Sequence, residues 1–277
     1  MSGAADKADR TSVEGLRRRH PLARGIELLT LMTDSDRDVH GVRELAGRLD
    51  VSPSTAHRLI ADLEKLGLVS RTANGSYRLG LEYLRLAWTT TERYPIQEVS
   101  RGTLEELTEQ SGESSFFAVY GEQRLQMMFT LVVESSHPLR YTLPMRQQIP
   151  LHAGASGLAI LAFLPAQIQD RIARGPLHAA TDRTLVEPRS LLDRLAMIRR
   201  DGYAITHGER IDGAIAIASP VFGPAGAVVG SAGISMPEAR FDAAHSSSLA
   251  GLVKQSARQI SDYLTGARDP RTGIARK

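Results

Sequence analysis

The tightest constraint in this chain lies between positions 42 and 79. Val42, Leu45, Ala46 and Leu49 recur at helical spacing and make one apolar face. Asp50-Val51-Ser52 leaves room only for a turn. Ser52 followed by Pro53 then opens another helix, with a side-chain oxygen for the orphan amides and a proline where a first helical residue tolerates one. This helix runs from about Pro53 to Leu66 and stops at Gly67, a fitting C-terminal glycine. Ala56, Leu59, Ile60, Leu63 and Leu66 form its inward face. Ser54, Thr55 and Arg58 point elsewhere, and His57 sits at the margin. Beyond Gly67 the period drops to two: Leu68-Val69-Ser70-Arg71 and Tyr77-Arg78-Leu79 flank a stretch containing Asn74-Gly75, a strong hairpin signal. A further helix precedes all this, from Pro21, with Leu22, Ile26, Leu29 and Met32 on its apolar face and Asp34-Ser35-Asp36 as its polar end. Helix, turn, helix and hairpin in this order predict a winged helix-turn-helix.

That geometry sends the first turns of its second helix into the major groove of DNA. Arg58 suits a guanine edge or a phosphate. Ser52, Ser54 and Thr55 suit phosphates through hydroxyls and helix amides, His57 borders them, and Arg71 and Arg78 on the hairpin reach the backbone beside the groove. The bland alternative is a helical module that binds protein; the wing and the polar helix face favour DNA. Net charge is only +3, so the sum argues little. Arg17, Arg18, Arg19 and Arg24 cluster around His20 and Pro21, as a basic arm along phosphates or as a solvated leader.

Leu81, Leu84, Leu86 and Trp88 predict a helix leaving the wing, interrupted by Thr89-Thr90-Thr91 and Pro95, with a second helix from about Ile96 to Gln110. Trp88 is expected at a domain or subunit contact, or in the core of the head. From Glu113 onward strands and helices mix. Ser115-Phe116-Phe117-Ala118-Val119-Tyr120 and residues 125–133 form a hairpin across Gly121-Glu122-Gln123, and Tyr141-Thr142-Leu143 is a short strand. Helices are expected over 154–163, 165–173 and 188–200, and strands over 202–206, 214–222 and 228–235, with Pro224-Ala225-Gly226 as a turn. A long last helix carries Leu249, Leu252, Val253, Ile260 and Leu264 on one face. The order predicts an α+β fold, an antiparallel sheet covered by helices. The expected organisation is a flexible basic leader over 1–20, the winged helix-turn-helix over 21–80, a helical linker over 81–112, a sensor domain over 113–268 and a tail over 269–277.

Several chemistries drop out. Cysteine is absent, which removes disulfides, Cys-type zinc sites and thiol nucleophiles. No run approaches the ~20 apolar residues that span a bilayer, and the first residues carry no secretion signal, so the expected compartment is the cytoplasm and no membrane is a partner. Gly154-Ala155-Ser156-Gly157-Leu158 lacks the final glycine of a nucleophile elbow. His152, His178 and His207 have no metal-ligand spacing, Glu209 and Asp212 read as a solvated pair on an exposed turn, and no dinucleotide or phosphate loop is present. No enzyme and no cofactor are expected. The small residues from His152 to Gly157 open a helix, which suits either a carboxylate at free amides or close helix–sheet packing.

Taken as a set, Arg24-Gly25-Ile26-Glu27-Leu28-Leu29, Val42-Arg43-Glu44-Leu45-Ala46, Ser54-Thr55-x-x-Arg58-Leu59 and Tyr77-Arg78-Leu79-Gly80 resemble the head of the IclR family of bacterial regulators. Pro150-Leu151-His152-Ala153-Gly154-Ala155-Ser156-Gly157, Asp201-Gly202-Tyr203-Ala204, Glu209-Arg210, the run Gly213-Ala214-Ile215-Ala216-Ile217-Ala218-Ser219-Pro220 and Ile234-Ser235-Met236-Pro237 resemble its GAF-like effector domain. The resemblance covers nearly everything after residue 20. It implies a regulator that binds double-stranded operator DNA and a small-molecule effector, a carboxylate or aromatic metabolite, as a homodimer or dimer of dimers. It implies a repressor released by its ligand, with an activator as the alternative; a hydrolase with a DNA-tethering head is the remoter one. It carries over pocket positions Ala155, Ser156, Thr206, Ala216, Gly233 and Ser235, with Leu151, Met145 and Ile217 as apolar walls. Relatives often carry a basic residue where this chain has Leu158, which implies either a less cationic pocket or a position that faces away from it.

Overall fold

A computed structural model describes residues 20–93, 96–145 and 147–266. The expected basic leader through Arg19, Pro95 and the tail over 269–277 lie outside these residues. The chain divides into two compact units, Met1–Tyr94 and Pro95–Lys277.

In the first unit, α1 (Pro21–Thr33), α2 (Val42–Arg48) and α3 (Pro53–Lys65) precede a two-stranded sheet of β1 (Val69–Arg71) and β2 (Tyr77–Leu79), paired antiparallel with Ser70 opposite Arg78. Leu28, Leu29, Met32, Leu45, Leu59, Ile60, Leu63, Val69 and Tyr77 make the core. The α1 face differs from the sequence expectation. Leu22 and Ile26 are exposed, and Gly25, Leu28, Leu29 and Met32 face inward. Gly25 has no side chain, so Leu63 packs 3.9 Å from where a Cβ would stand, and the helix turns that bare side toward α3. Leu66 is also exposed: it caps α3, and the left-handed Gly67 (φ +71°) turns the chain away immediately after it.

Helix α4 (Leu81–Arg93) runs straight through the three threonines expected to break it. The Thr89 and Thr90 hydroxyls donate to the Arg85 and Leu86 carbonyls at 2.9 and 2.7 Å, one turn back, so they bond within the helix and share its acceptors instead of ending it. Trp88 on this helix is 63% exposed and is no part of the head core.

The second unit begins with α5 (Ile96–Ser111) and is built on a six-stranded antiparallel sheet. Its strands are β3 (Ser114–Gly121), β4 (Gln126–Val133), β5 (Ile149–Pro150), β6 (Ala204–His207), β7 (Ala214–Phe222) and β8 (Val228–Pro237), in spatial order β5-β4-β3-β8-β7-β6. Strand alternation sorts the side chains to two faces. Phe117, Ile215, Ile217, Ile234 and Met236 pack against α5 and α9 (Ser246–Leu264), burying Leu104, Leu107, Val253 and Ile260. Phe116, Phe129 and Ala218 face α6 (Ala155–Leu161) and α8 (Pro188–Asp201), with α7 (Ala166–Ala173) beyond. The molecule is thus an α+β protein with helices on both faces of this sheet. One local expectation fails, since residues 141–143 form no strand, and one element was not expected: the short β5, whose two residues carry too little pattern to be read, pairs with β4.

Candidate functional site

The polar first turns of α3 are organised around one hydroxyl. Ser52 Oγ accepts from the Thr55 amide at 3.2 Å and lies 2.9 Å from both Ser54 Oγ and Thr55 Oγ1. This N-cap fixes the helix start and gathers three hydroxyls at one end. Ser54, His57 and Arg58 are exposed and Thr55 is half-buried, while Ala56, Leu59 and Ile60 on the opposite side seal the core. Among the described residues Arg58 makes no hydrogen bond or ion pair.

The wing is held beside this face. Its turn closes with Thr72 N–H donating to Ser76 O at 2.8 Å and Gly75 at φ +83°. Arg71 is exposed, its Cζ 6.0 Å from the Tyr77 ring centre, and exposed Arg78 donates to Ser70 Oγ at 3.3 Å. A residue that sequence reasoning passed over anchors the base. His40 and Tyr77 exchange backbone hydrogen bonds of 2.8 and 2.9 Å. The buried imidazole of His40 holds Glu44 at 3.2 Å and leaves Nε2 without a partner. The hydrogen bond from His40 draws the Glu44 carboxyl below its usual range.

In the second unit a cavity of about 420 Å³, counted to its open mouth, lies between the start of α6 and the sheet. Ala153, Gly154, Ala155 and Ser156 form one wall. Phe116, Met127 and Phe129 come from β3 and β4, the two phenylalanine rings meeting edge to face at 5.1 Å, and Leu143 and Ile211 complete the apolar lining. Thr206, Ala214, Ala216 and Ser235 come from β6, β7 and β8. Glu209 and Arg210, in the loop between β6 and β7, are the only charged residues on the wall among the described residues.

Five of the positions expected here line the cavity: Ala155, Ser156, Thr206, Ala216 and Ser235. Two do not. Leu151 is core, and its carbonyl lies 2.6 Å from where a Gly157 Cβ would sit, so Gly157 lets the α6 start close on it. Gly233 is covered: a Cβ there would meet Ile217 O at 2.2 Å and the Phe116 ring at 2.7 Å. Of the other apolar walls, Ile217 faces the α9 side and Met145 bridges β4 from a 40% exposed position. Leu158, in place of a basic residue, is fully buried core and lines nothing.

The polar groups also differ from expectation. The Ala155 amide at the helix start is taken by Thr206 Oγ1 at 3.1 Å, and Ser156 Oγ is engaged with Ser231 Oγ at 2.7 Å. Glu209 is not solvated; it is 6% exposed, whereas Asp212 is exposed. Arg194 from α8 donates to Glu209 Oε1 at 3.2 Å, and Oε2 has no partner. Burial raises the Glu209 carboxyl above its usual value, with Arg194 opposing. Arg210 is half-buried, its Cζ 5.6 Å from the Phe129 ring centre, and burial pushes its guanidinium below the usual value. Gly154 (φ +82°) leaves the room it fills: a Cβ there would sit 3.2 Å from Arg210 Cβ and Cδ. The sequence signal was present in the pair Gly208 and Gly213, at φ +70° and +69°, which bracket this loop.

No group of three metal-ligating side chains occurs among the described residues, and no described helix is long and apolar enough to cross a membrane.

Residues 21–73 match the IclR helix-turn-helix domain, and residues 88–262 match the bacterial transcriptional regulator IclR C-terminal domain. The transcriptional repressor IclR of Escherichia coli K12 is 27% identical over 249 residues, 89% of this chain and 90% of that protein. A crystal structure assigned to the IclR regulators, from Silicibacter sp. TM1040, superposes with a TM-score of 0.79 at 28% identity, covering 90% of this chain and 98% of that one. An IclR homologue of Microbacterium hydrocarbonoxydans, solved with 4-hydroxybenzoate, has a TM-score of 0.70 over 88% of this chain and 98% of its own, and at 22% identity speaks for the fold. Two family domains in the right order, together spanning most of the sequence, settle the assignment: the chain belongs to the IclR family of bacterial transcription regulators, DNA-binding proteins rather than enzymes.

Proposed function

We propose that this regulator is a cytoplasmic repressor that grips a pseudo-palindromic operator as a homodimer, which pairs again into a dimer of dimers, and leaves it when a small molecule enters the cavity beside α6. The observation that carries the reading is the division of α3, with Ser54, His57 and Arg58 exposed on one side and Ala56, Leu59 and Ile60 buried on the other. Two such helices enter successive major grooves, ~34 Å apart along the duplex. Arg58 reads a base edge or a phosphate, Ser52, Ser54, Thr55 and His57 contact the backbone, and Arg71 and Arg78 flank it from the wing. The E. coli relative is a repressor, which supports the sign of the response, and the M. hydrocarbonoxydans homologue holds 4-hydroxybenzoate, which supports a small organic effector. Ala155, Ser156, Thr206, Ala216 and Ser235 surround that effector, and Leu151 and Gly233 shape the wall behind them. The effector shifts the heads by its difference in affinity for the two arrangements, typically ~1–3 kcal/mol.

A paired experiment tests this. Arg58→Ala weakens operator binding about ten- to a hundredfold in a shift assay, as loss of a direct contact worth ~1–3 kcal/mol requires. Ser156→Tyr fills the cavity and removes the effector response while operator binding persists. Normal operator affinity of the first variant, or a normal response of the second, defeats the reading.

A further inference from the structure

We infer that His40 is a positioning residue for DNA binding: by tying the start of α2 to the base of the wing, its imidazole sets where Arg71 and Arg78 meet the phosphate backbone. This rests on the proposed seating of the wing beside the groove and names the residue that fixes it there.

The backbone makes the first connection. The wing has two strands of three residues each, and an isolated hairpin of that size has little stability of its own. His40 is its further partner: the His40 amide donates to Tyr77 O at 2.8 Å, and the Tyr77 amide donates to His40 O at 2.9 Å. Tyr77 is buried and governs both wing arginines. Arg71 stands opposite it across the hairpin, with its guanidinium over the tyrosine ring, and Arg78 is the next residue along the strand. Wherever His40 holds Tyr77, it holds these two cations. Arg78 also lines the same cleft as His40, beside the loop that joins α1 to α2.

The side chain makes the second connection, to α2. The imidazole of His40 is 1% exposed, and Nδ1 lies 3.2 Å from Glu44 Oε1. An ionised carboxylate only accepts, so Nδ1 carries the proton and donates. The carboxyl of Glu44 is drawn below its usual range chiefly by this bond, which agrees with an ionised acceptor. Its other oxygen, Oε2, accepts from the Gly41 amide at 3.4 Å, at a helix start where glycine offers no side chain for that purpose. Glu44 thus closes α2 with one oxygen and holds His40 with the other. An aliphatic side chain would fill the same space without leaving Nε2 unpartnered, so packing does not account for an imidazole here. The bond from Nδ1 does: it fixes the residue that fixes the wing.

The test follows binding of the full-length protein to a fluorescein-labelled DNA duplex of arbitrary sequence, by anisotropy over a series of KCl concentrations. Phosphate contacts act without regard to sequence, and each one lost lowers the slope of log affinity against log salt by ~0.9. Arg71→Ala combined with Arg78→Ala defines the wing's share of that slope. His40→Leu breaks the link and keeps the core filled, and Glu44→Ala breaks it from the more exposed side. Each lowers the slope by ~0.9 or more, and by no more than the wing's share. Added to the wing pair, either lowers it no further; added to Arg58→Ala, either keeps its full effect, whereas a head weakened as a whole would lose the Arg58 contribution too. His40→Asn, whose amide nitrogen takes the place of Nδ1, restores the slope. If His40→Leu does not fold, Glu44→Ala decides alone. The inference is overturned if a folded link variant keeps the wild-type slope, if it acts further on a chain without the wing arginines, if its effect vanishes beside Arg58→Ala, or if His40→Asn fails to restore. A wing pair that leaves the slope unchanged overturns the seating of the wing and this inference with it. A wing pair that lowers the slope, beside link variants that do not, removes the inference alone.

Discussion

Arg58 in the head and Arg210 in the sensor are both arginines without a hydrogen bond or ion pair among the described residues, yet their situations are opposite. Arg58 projects into solvent from the second turn of a capped helix whose other face is sealed by Leu59, Ile60 and Leu63. Water solvates its guanidinium, so the missing partner costs nothing until a duplex replaces that water. Arg210 stands in a walled cavity over Phe129, and its missing partner is a cost carried by the folded domain. The head is thus built to be complete before it meets its partner. The sensor keeps a half-buried cation without a described partner.

The strongest way to break that contrast is to crowd the backbone that each region depends on. A Cβ on Gly80 would lie 2.0 Å from Gly67 O in the head, and one on Gly233 would lie 2.2 Å from Ile217 O in the sensor. Backbone atoms cannot step aside as side-chain tips do, so Gly80→Ala and Gly233→Ala each cost about 3 kcal/mol or more, the upper end of overpacking. Chemical denaturation followed by circular dichroism reads both. A loss below ~1 kcal/mol at either position would mean that the close approach is not a structural need.

A smaller effect sharpens the electrostatic half of the comparison. Arg194→Met strips Glu209 of its counter-charge and lowers sensor stability by ~1–3 kcal/mol at neutral pH, toward the lower figure because Arg194 is one-third exposed. The sign with pH follows from burial. Glu209 has a folded pKa above the ordinary glutamate value of 4.5, so the native state holds its proton more tightly than the unfolded chain does. Its contribution to stability falls as pH rises from 4.5 through the folded value, and the whole cost is present above that. In Arg194→Met this fall is larger, and Glu209→Gln abolishes it. Urea midpoints measured across that range check the slope; parallel profiles for wild type and Arg194→Met would separate Glu209 from Arg194.

The smallest effect belongs to the head. Ser52→Ala removes the cap from α3 and costs ~1 kcal/mol, as N-cap losses do. It also frees Ser54 and Thr55 from their shared bond, so operator affinity declines beyond what stability explains. Unchanged thermal stability would show that the Thr55 amide finds another acceptor.

The two regions were unequally legible for a physical reason. In the head, Val42, Leu45, Ala46 and Leu49, the Ser52-Pro53 start, Gly67 and Asn74-Gly75 are local signals, each acting within a few residues of itself. What escaped there was set by packing between helices: Gly25 turned α1, so Leu22 and Ile26 lie outside. In the sensor, period-two runs located β3, β4, β7 and β8, whereas the small residues alone left packing and a ligand both open, and it was the family resemblance that carried Ala155 and Ser156 to the cavity. The charges did not follow. Glu209 reads as a surface acid beside Asp212, because nothing nearby in the chain announces Arg194, fifteen residues earlier on α8, or the Thr184 hydroxyl that donates to the Glu209 carbonyl at 2.7 Å. That loop is held from remote segments, and residue type alone cannot report it.

The cavity wall draws on β3, β4, β6, β7, β8 and α6 together. On the proposed reading of this cavity, variants that keep the operator occupied whatever the growth medium scatter widely along the gene and collapse to one small neighbourhood in space. A genetic screen for such insensitive alleles could map the wall without any knowledge of the inducer, and the alleles that also melt early would mark the strands holding that neighbourhood together.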